Sequence, residues 1–269
     1  MIVKVGSTQY KTMADTNVPK PRIKINDEYL ELTQDTNLAI KRPRMAVNIG
    51  NQKHYIKDVL NPVKFIETGL QGQDFYFGGA LANNGNIYCS PFNASSILKI
   101  NTNNDTFSTF GTGLGGNASA VLAPNGMIYC MPSTSTSILK INPNNDTYTT
   151  FGNKYSSYFS GALAPNGIIY SVGTNILKIN TNNDTFTTFG TTTRSFGVAL
   201  GNNGMVYSVP SSGKGIKINP ANDTYTTFID SPGEYDSFTG AIAVKGKSTI
   251  YSVPLYYSRI FKLTTYYDI

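Results

Sequence analysis

Residues 161–190 read GALAPNGIIYSVGTNILKINTNNDTFTTFG. Short apolar runs alternate here with Pro, Asn, Gly, Asp and Thr, which is the grammar of strands and tight turns rather than helices. The stretch recurs with edits. Aligned on the glycine after its first run, it falls at Gly85, Gly126, Gly167, Gly204 and Gly246, in steps of 41, 41, 37 and 42 residues. A period near forty, built from short strands, predicts a β-propeller. The fold class read from the sequence is all-β: a five-bladed β-propeller over residues 63–269, preceded by a small β-hairpin domain over residues 1–62.

Each repeat divides into four strands. The first is a run of small residues, as in Gly79-Ala80-Leu81-Ala82 and Gly161-Ala162-Leu163-Ala164, which suits the crowded innermost position. The second, such as Ile168–Val172, is apolar on both faces, as a sheet sandwiched between two others requires. The third is Ile97–Ile100 and its equivalents. The fourth, Thr106–Phe110, Thr147–Phe151, Thr185–Phe189 and Thr224–Phe228, alternates Thr with aromatic residues and suits an outer strand with one wet face. The fifth repeat stops after its third strand. Either Lys64–Gly69, from before the first repeat, or Thr264–Ile269 at the carboxyl end is expected to supply the missing strand and remove an open sheet edge.

Composition agrees with this architecture. The chain has 269 residues, 40% hydrophobic and 14% charged, enough to pack a core. Its net charge of +6 is spread thinly and argues against a nucleic-acid partner. No run approaches the roughly 18 apolar residues of a membrane span, and the start, MIVKVGSTQYK, lacks the apolar core of an export signal. The two cysteines, Cys89 and Cys130, occupy one repeat position that is Ser171, Ser208 and Ser252 elsewhere. That pattern reads as a small buried side chain, with the two thiols too far apart to bridge.

Residues 1–60 break the period. Val3-Lys4-Val5 with Tyr10, Ile23-Lys24-Ile25 with Tyr29, and Val47-Asn48-Ile49 with Tyr55 read as three hairpins. Isolated hairpins are marginal, so their apolar faces are expected to pack on each other, on further copies or on a partner. His54, the only histidine, reads as a packing or surface residue.

The turn between the third and fourth strands is nearly constant: Asn101-x-Asn103-x-Asp105, Asn142-x-Asn144-x-Asp146, Asn180-x-Asn182-x-Asp184 and Asn219-x-Ala221-x-Asp223. Each offers a single carboxylate and lacks the distal Glu of a calcium loop. The expected reading is an Asx-type turn in which Asn and Asp bond the local backbone, with no metal and no cofactor. The inner strands carry no acid, so the paired carboxylates of a glycosidase are not in view and the chain reads as non-enzymatic. The loops after strands two and four differ in every repeat, and in an up-and-down propeller they emerge on one face. That face carries Tyr76, Tyr155, Tyr158, Arg194, Tyr235, Tyr256, Tyr257 and Arg259, which are the candidate ligand-binding residues.

Two resemblances extend this reading. The repeats, with Leu163-Ala164-Pro165-Asn166-Gly167, Ile169-Tyr170 and Asn183-Asp184-Thr185, resemble bacterial and viral propeller repeats of the LAPNG and NDT type, and not WD repeats. The strand–turn–aromatic units of the first sixty residues resemble segments near the start of bacteriophage tail and fibre proteins. Together they imply a virion structural protein: a fibre, tail or head appendage, oligomeric in the assembly. Residues 1–62 would then attach to other virion proteins, and the propeller would meet host-surface glycan or a virion partner. A lectin-like module outside a virion and a propeller glycosidase are the alternatives.

Overall fold

The computed structural model describes residues 75–152, 157–192, 195–210, 213–230, 238–254, 260 and 262–265, and the backbone of six strands within residues 2–56. The chain divides into two compact units, residues 1–67 and 68–269.

In the first unit, β1 (Ile2–Val5) pairs with β2 (Thr8–Lys11). Strands β3 (Arg22–Ile25), β4 (Glu28–Gln34), β5 (Met45–Ile49) and β6 (Gln52–Ile56) form one antiparallel sheet in chain order. The three expected hairpins are therefore present. The second and third are joined into a single sheet, because β4 runs beyond its hairpin and pairs Thr33 with Ala46.

The second unit is a propeller of five antiparallel sheets, each in simple chain order. Sheet one holds β7 (Tyr76–Leu81), β8 (Asn86–Pro91), β9 (Ile97–Asn101) and β10 (Thr106–Phe110). Sheet two holds β11 (Asn117–Leu122), β12 (Ile128–Pro132), β13 (Ile138–Asn142) and β14 (Thr147–Phe151). Sheet three holds β15 (Gly161–Leu163), β16 (Ile168–Val172), β17 (Ile176–Asn180) and β18 (Thr185–Phe189). Sheet four holds β19 (Ser195–Leu200), β20 (Val206–Pro210), β21 (Lys214–Asn219) and β22 (Thr224–Asp230). Sheet five holds β23 (Phe238–Ala243), β24 (Thr249–Pro254) and β25 (Lys262–Thr264), three strands among the described residues. Residues 64–69 and 266–269, between which the sequence left closure of this sheet open, lie outside the described residues.

Burial follows from position in the sheet. Every residue of β12 and of β16 is buried, as a strand covered on both faces must be. Outer strands such as β14 expose Thr147, Thr149 and Thr150 and half-bury Tyr148 and Phe151. The core is a series of layers between sheets. Tyr88 and Ile97 meet Ile128, Leu139 and Ile141 between sheets one and two. Tyr129, Met131 and Ile138 meet Ile169, Leu177 and Ile179 between sheets two and three. Tyr170 and Ile176 meet Val206, Ile216 and Ile218 between sheets three and four. Each such side chain contributes on the order of 1.5–3 kcal/mol through removal from water.

The first strands lie side by side around the axis. Space there is tight. A methyl group added at Gly197 would lie 2.5 Å from the carbonyl carbon of Gly240 on the next sheet. Most first strands also carry a bulge, between Tyr76 and Gly79, Ala118 and Ala120, Ser195 and Gly197, and Phe238 and Gly240. The bulge re-aims the residues at the strand's entry. The position shared by the cysteines is buried where Ser171, Ser208, Ser252 and Cys130 occupy it, and Cys89 is partly exposed. Neither cysteine forms a disulfide.

Candidate functional site

The two ends of the sheets are built differently. At one end lie the Asn-Gly turns and the Asn-x-Asn-x-Asp turns. The asparagines act locally, as expected. Asn101, Asn142 and Asn180 each accept the backbone N–H two residues on at 2.9–3.0 Å, and Asn104, Asn145 and Asn183 accept from both the backbone and the hydroxyl of the following Thr. The aspartates depart from the expectation of a local bond. Each adopts a left-handed backbone, with φ of 55° at Asp146, 57° at Asp184 and 56° at Asp223, which Asp tolerates better than most residues. That conformation carries the carboxylate away from its own turn and onto the preceding sheet.

There it meets a fixed set of donors. Tyr88 donates to Asp146 Oδ1 at 2.7 Å, Lys99 Nζ lies 2.6 Å from Asp146 Oδ2, and Asn84 Nδ2 donates to the Pro143 carbonyl at 2.7 Å. The set repeats one sheet on. Tyr129 and Lys140 hold Asp184 at 2.7 and 2.6 Å, and Asn125 bonds the Thr181 carbonyl. Tyr170 donates to Asp223 at 2.6 Å, Lys178 pairs with the same carboxylate, and Asn166 reaches the Pro220 carbonyl at 2.8 Å. These clasps bind sheet one to two, two to three and three to four, and they engage both oxygens of each of these aspartates.

Their electrostatics agree. Burial disfavours ionisation of Asp146, Asp184 and Asp223, but the lysine and tyrosine hydrogen bonds outweigh it and hold all three carboxyls below the ordinary carboxylate value. Burial, reinforced by the aspartate, raises Tyr88 and Tyr129 and pushes Tyr170 up to about 12. No group of three or more metal-ligating side chains occurs among the described residues.

The opposite end holds the loops that vary between repeats. Of the eight residues expected to line a binding surface there, Tyr76 and Tyr158 fall within the described residues. Tyr155, Arg194, Tyr235, Tyr256, Tyr257 and Arg259 lie outside them. Tyr76 is half-buried on β7. Tyr158 corrects the expectation of an exposed platform: it is 1% exposed, packs in the layer between sheets two and three, and donates its hydroxyl to Asn175. Its ring anchors one loop to another and does not face solvent.

An aromatic cluster missed in the sequence lies at this end instead. Phe75 meets Phe77 and Phe92, the latter two meet Phe159 at the entry to β15, and Phe159 meets Phe196 of β19. Centroid separations are 5.7–5.8 Å from Phe92 to Phe77 and Phe75, 6.4 Å from Phe77 to Phe159, and 4.4 Å from Phe159 to Phe196. Phe77, Phe159 and Phe196 share one repeat position, two residues before the small-residue run. Sheet two has Ala118 there, fully buried, and the rings of sheets one and three meet past this small residue. The signal was an aromatic recurring at the mouth of the first strand in four of five repeats, Phe77, Phe159, Phe196 and Phe238.

No protein-family model matches the chain, and no curated protein matches it in sequence. Among solved structures, the chain is similar to a Staphylococcus aureus virginiamycin B lyase, a catalytically inactive histidine-to-alanine variant with quinupristin. The TM-score is 0.64 at 15% identity, over 95% of this chain and 85% of that one. It is also similar to a streptogramin B lyase, with TM-score 0.59 at 12% identity over 96% of this chain and 83% of that one. A third likeness is to an auxiliary nutrient binding protein from Bacteroides ovatus, with TM-score 0.55 at 16% identity over 71% and 55% of the two chains. The chain is a β-propeller. At these identities the likeness establishes the fold, which lyases and binding proteins share.

Proposed function

We propose that this chain is a non-enzymatic structural protein of a bacteriophage virion, a fibre, tail or head appendage. Residues 1–62 would attach to other virion proteins, and the propeller would carry a binding surface at its loop-bearing end. The observation that supports the binding role is the contrast between the two ends. The clasps tie the turns of one end to neighbouring sheets, whereas the other end combines variable loops with partly exposed aromatic rings. The virion assignment rests on the resemblance of the hairpin units and the repeats to phage appendage sequences.

Two points favour binding over catalysis. The lyase that this fold resembles is inactive when one histidine becomes alanine. Residues 68–269 here contain no histidine, because the single one is His54. Asp146, Asp184 and Asp223 are each ion-paired at a separate sheet junction, an arrangement unlike the two facing carboxylates of a glycosidase.

Mass spectrometry of purified phage particles tests the assignment. The protein should be a stoichiometric particle component, and a variant lacking residues 1–61 should fold yet fail to incorporate. Absence from particles would remove the virion role, and incorporation of the shortened variant would remove the attachment role.

A further inference from the structure

We propose that Asn84, Asn125 and Asn166, each followed by glycine in the turn after a first strand, are deamidation sites gated by the sheet joints. Each reacts slowly while its joint is closed and is converted to aspartate or isoaspartate when the joint opens. The inference stands apart from the virion and binding readings, because it concerns only the turn end of the propeller.

The sequence supplies the reactive pairs Asn84-Gly85, Asn125-Gly126 and Asn166-Gly167. The backbone nitrogen after an asparagine can attack the side-chain amide carbon, and glycine, lacking Cβ, hinders that approach least. At the first site the step forms a bond from the Gly85 nitrogen to Asn84 Cγ and breaks the Cγ–Nδ2 bond. The Gly85 nitrogen gives its proton to solvent base, and ammonia leaves with a proton returned by solvent. Water then opens the cyclic imide to a carboxylate, on either an aspartyl or an isoaspartyl backbone. Water is the sole co-reactant, and it has access. Asn84, Asn125 and Asn166 are exposed, and the space where Gly167 would carry a Cβ is empty to 4 Å.

In the closed joint both reacting groups are engaged. The nucleophile is tied: Gly85, Gly126 and Gly167 donate their N–H groups to the carbonyls of Ala82, Ala123 and Ala164 at 3.0 Å. The amide is tied at both ends. Its oxygen accepts the N–H of Asn86, Met127 or Ile168 at 3.0–3.1 Å. Its nitrogen donates across the joint, from Asn84 to the Pro143 carbonyl at 2.7 Å, from Asn125 to that of Thr181, and from Asn166 to that of Pro220 at 2.8 Å. The first two sets of bonds belong to the turn itself. The third reaches the next sheet and lasts only while the clasp on Asp146, Asp184 or Asp223 holds that sheet in place. Turning the amide toward the glycine nitrogen requires its release, so local opening of the joint controls the reaction.

The product opposes reclosure. A carboxylate at position 84 brings no N–H to the Pro143 carbonyl, and an acceptor facing an acceptor is unfavourable. It also adds an anion at the Tyr88 hydroxyl, which Asn84 and Asp146 already share. Like charges brought together disfavour the ionised pair.

The test incubates the full-length protein at about pH 8 in oxygen-18 water, below its melting temperature, and follows the three sites by peptide mass spectrometry. The heptapeptide Ala82–Tyr88, acetylated and amidated, is the unfolded reference. Asn84 in the protein should react more slowly than in the heptapeptide by roughly tenfold or more. Asp146→Ala should speed Asn84 several-fold while Asn125 and Asn166 keep their wild-type rates, and Asp184→Ala should speed Asn125 alone. Tyr88→Phe, a milder cut at the same joint, should also speed Asn84 alone and serves if Asp146→Ala does not fold. Asn84→Asp should lower the melting temperature. A wild-type rate at Asn84 equal to that of the heptapeptide would overturn the proposal. So would equal acceleration of all three sites in the single-joint variants, which would trace the reaction to global unfolding, or no acceleration at Asn84, which would trace its protection to the turn alone. A melting temperature unchanged by Asn84→Asp would overturn the opposition to reclosure.

Discussion

The repeat writes two ends of the same sheet in different chemistry. At the turn end, four side chains of fixed type recur at each of three junctions: Asn, Tyr and Lys from one sheet, and Asp from the next. At the loop end, no side-chain pattern recurs in all five repeats, and order comes from backbone hydrogen bonds to carbonyls such as those of Phe75 and Gly116. A side-chain clasp fails when one residue changes. A backbone clasp tolerates almost any side chain provided the chain path is kept. The difference explains how one end can stay constant within this chain while the other diverges, without loss of the common fold.

Breaking a clasp should have the largest effect. Asp184→Ala leaves the Lys140 ammonium without its carboxylate and the buried Tyr129 hydroxyl with only the Thr181 carbonyl at 3.2 Å, and it should cost about 1–3 kcal/mol, with the upper part of the range discounted because the carboxylate is partly exposed. Urea unfolding measures it, and a loss below about 0.5 kcal/mol would show the clasp to be ornamental.

Titration sharpens the comparison next. The three aspartates are depressed in the folded state, so their contribution is present above the ordinary carboxylate value of 3.8 and is lost as pH falls through their native values. The tyrosines are raised, so theirs is present below the ordinary tyrosine value of 10.0 and is lost as pH rises toward the native range, about 12 for Tyr170. Stability should therefore be flat from about pH 5 to 9 and fall on both sides. A variant with Asn at 146, 184 and 223 should lose most of the acid limb. An acid limb of undiminished slope would assign it to other groups.

Tyr158→Phe, which removes one buried hydroxyl and its bond to Asn175, should cost about 1 kcal/mol and leave the sheet junctions intact. Thermal unfolding measures it, and an unchanged melting temperature would mean that the loop is held by its backbone alone. The smallest effect on stability is expected for Tyr256→Ala and Tyr257→Ala, within about 0.5 kcal/mol as for surface changes. Attachment should nonetheless weaken several-fold in adsorption assays. Full attachment in both would confine recognition to the phenylalanine cluster.

Much of the fold was legible in the sequence because a propeller repeats its instructions. The small first strands, the wholly apolar second strands and the Thr–aromatic outer strands each reflect a distinct degree of burial, and each was readable from residue type alone. The clasp was half legible. The recurrence of Asp105, Asp146, Asp184 and Asp223 was plain, but a turn motif explains Asp locally, and its partners lie 44 to 58 residues away, as in Lys140 with Asp184 and Tyr88 with Asp146. Lys99 and Tyr88 looked like ordinary strand residues. At the loop end the burial of Tyr158 was not legible. Tyr158 looks like a loop residue by position, yet its ring turns inward, because loop membership does not fix the side of the chain on which a residue points. The phenylalanines were overlooked for the opposite reason: Phe beside a strand reads as core until the structure shows its ring open to water.

The clasp also bears on how such a chain can grow. Asp146 and Asp184 are each used one sheet away from the repeat that encodes them, while the Asn, Tyr and Lys of their own repeats face onward to the next. Repeats two and three are thus each a plug on one side and a socket on the other, and the three described joints are of one gauge. Duplicating a repeat would bring a matching plug and socket together without any compensating substitution. The number of repeats is in this sense a freely inherited quantity. What limits it is the wedge angle at the axis, where the backbones of Gly197 and Gly240 already leave no room for a methyl group.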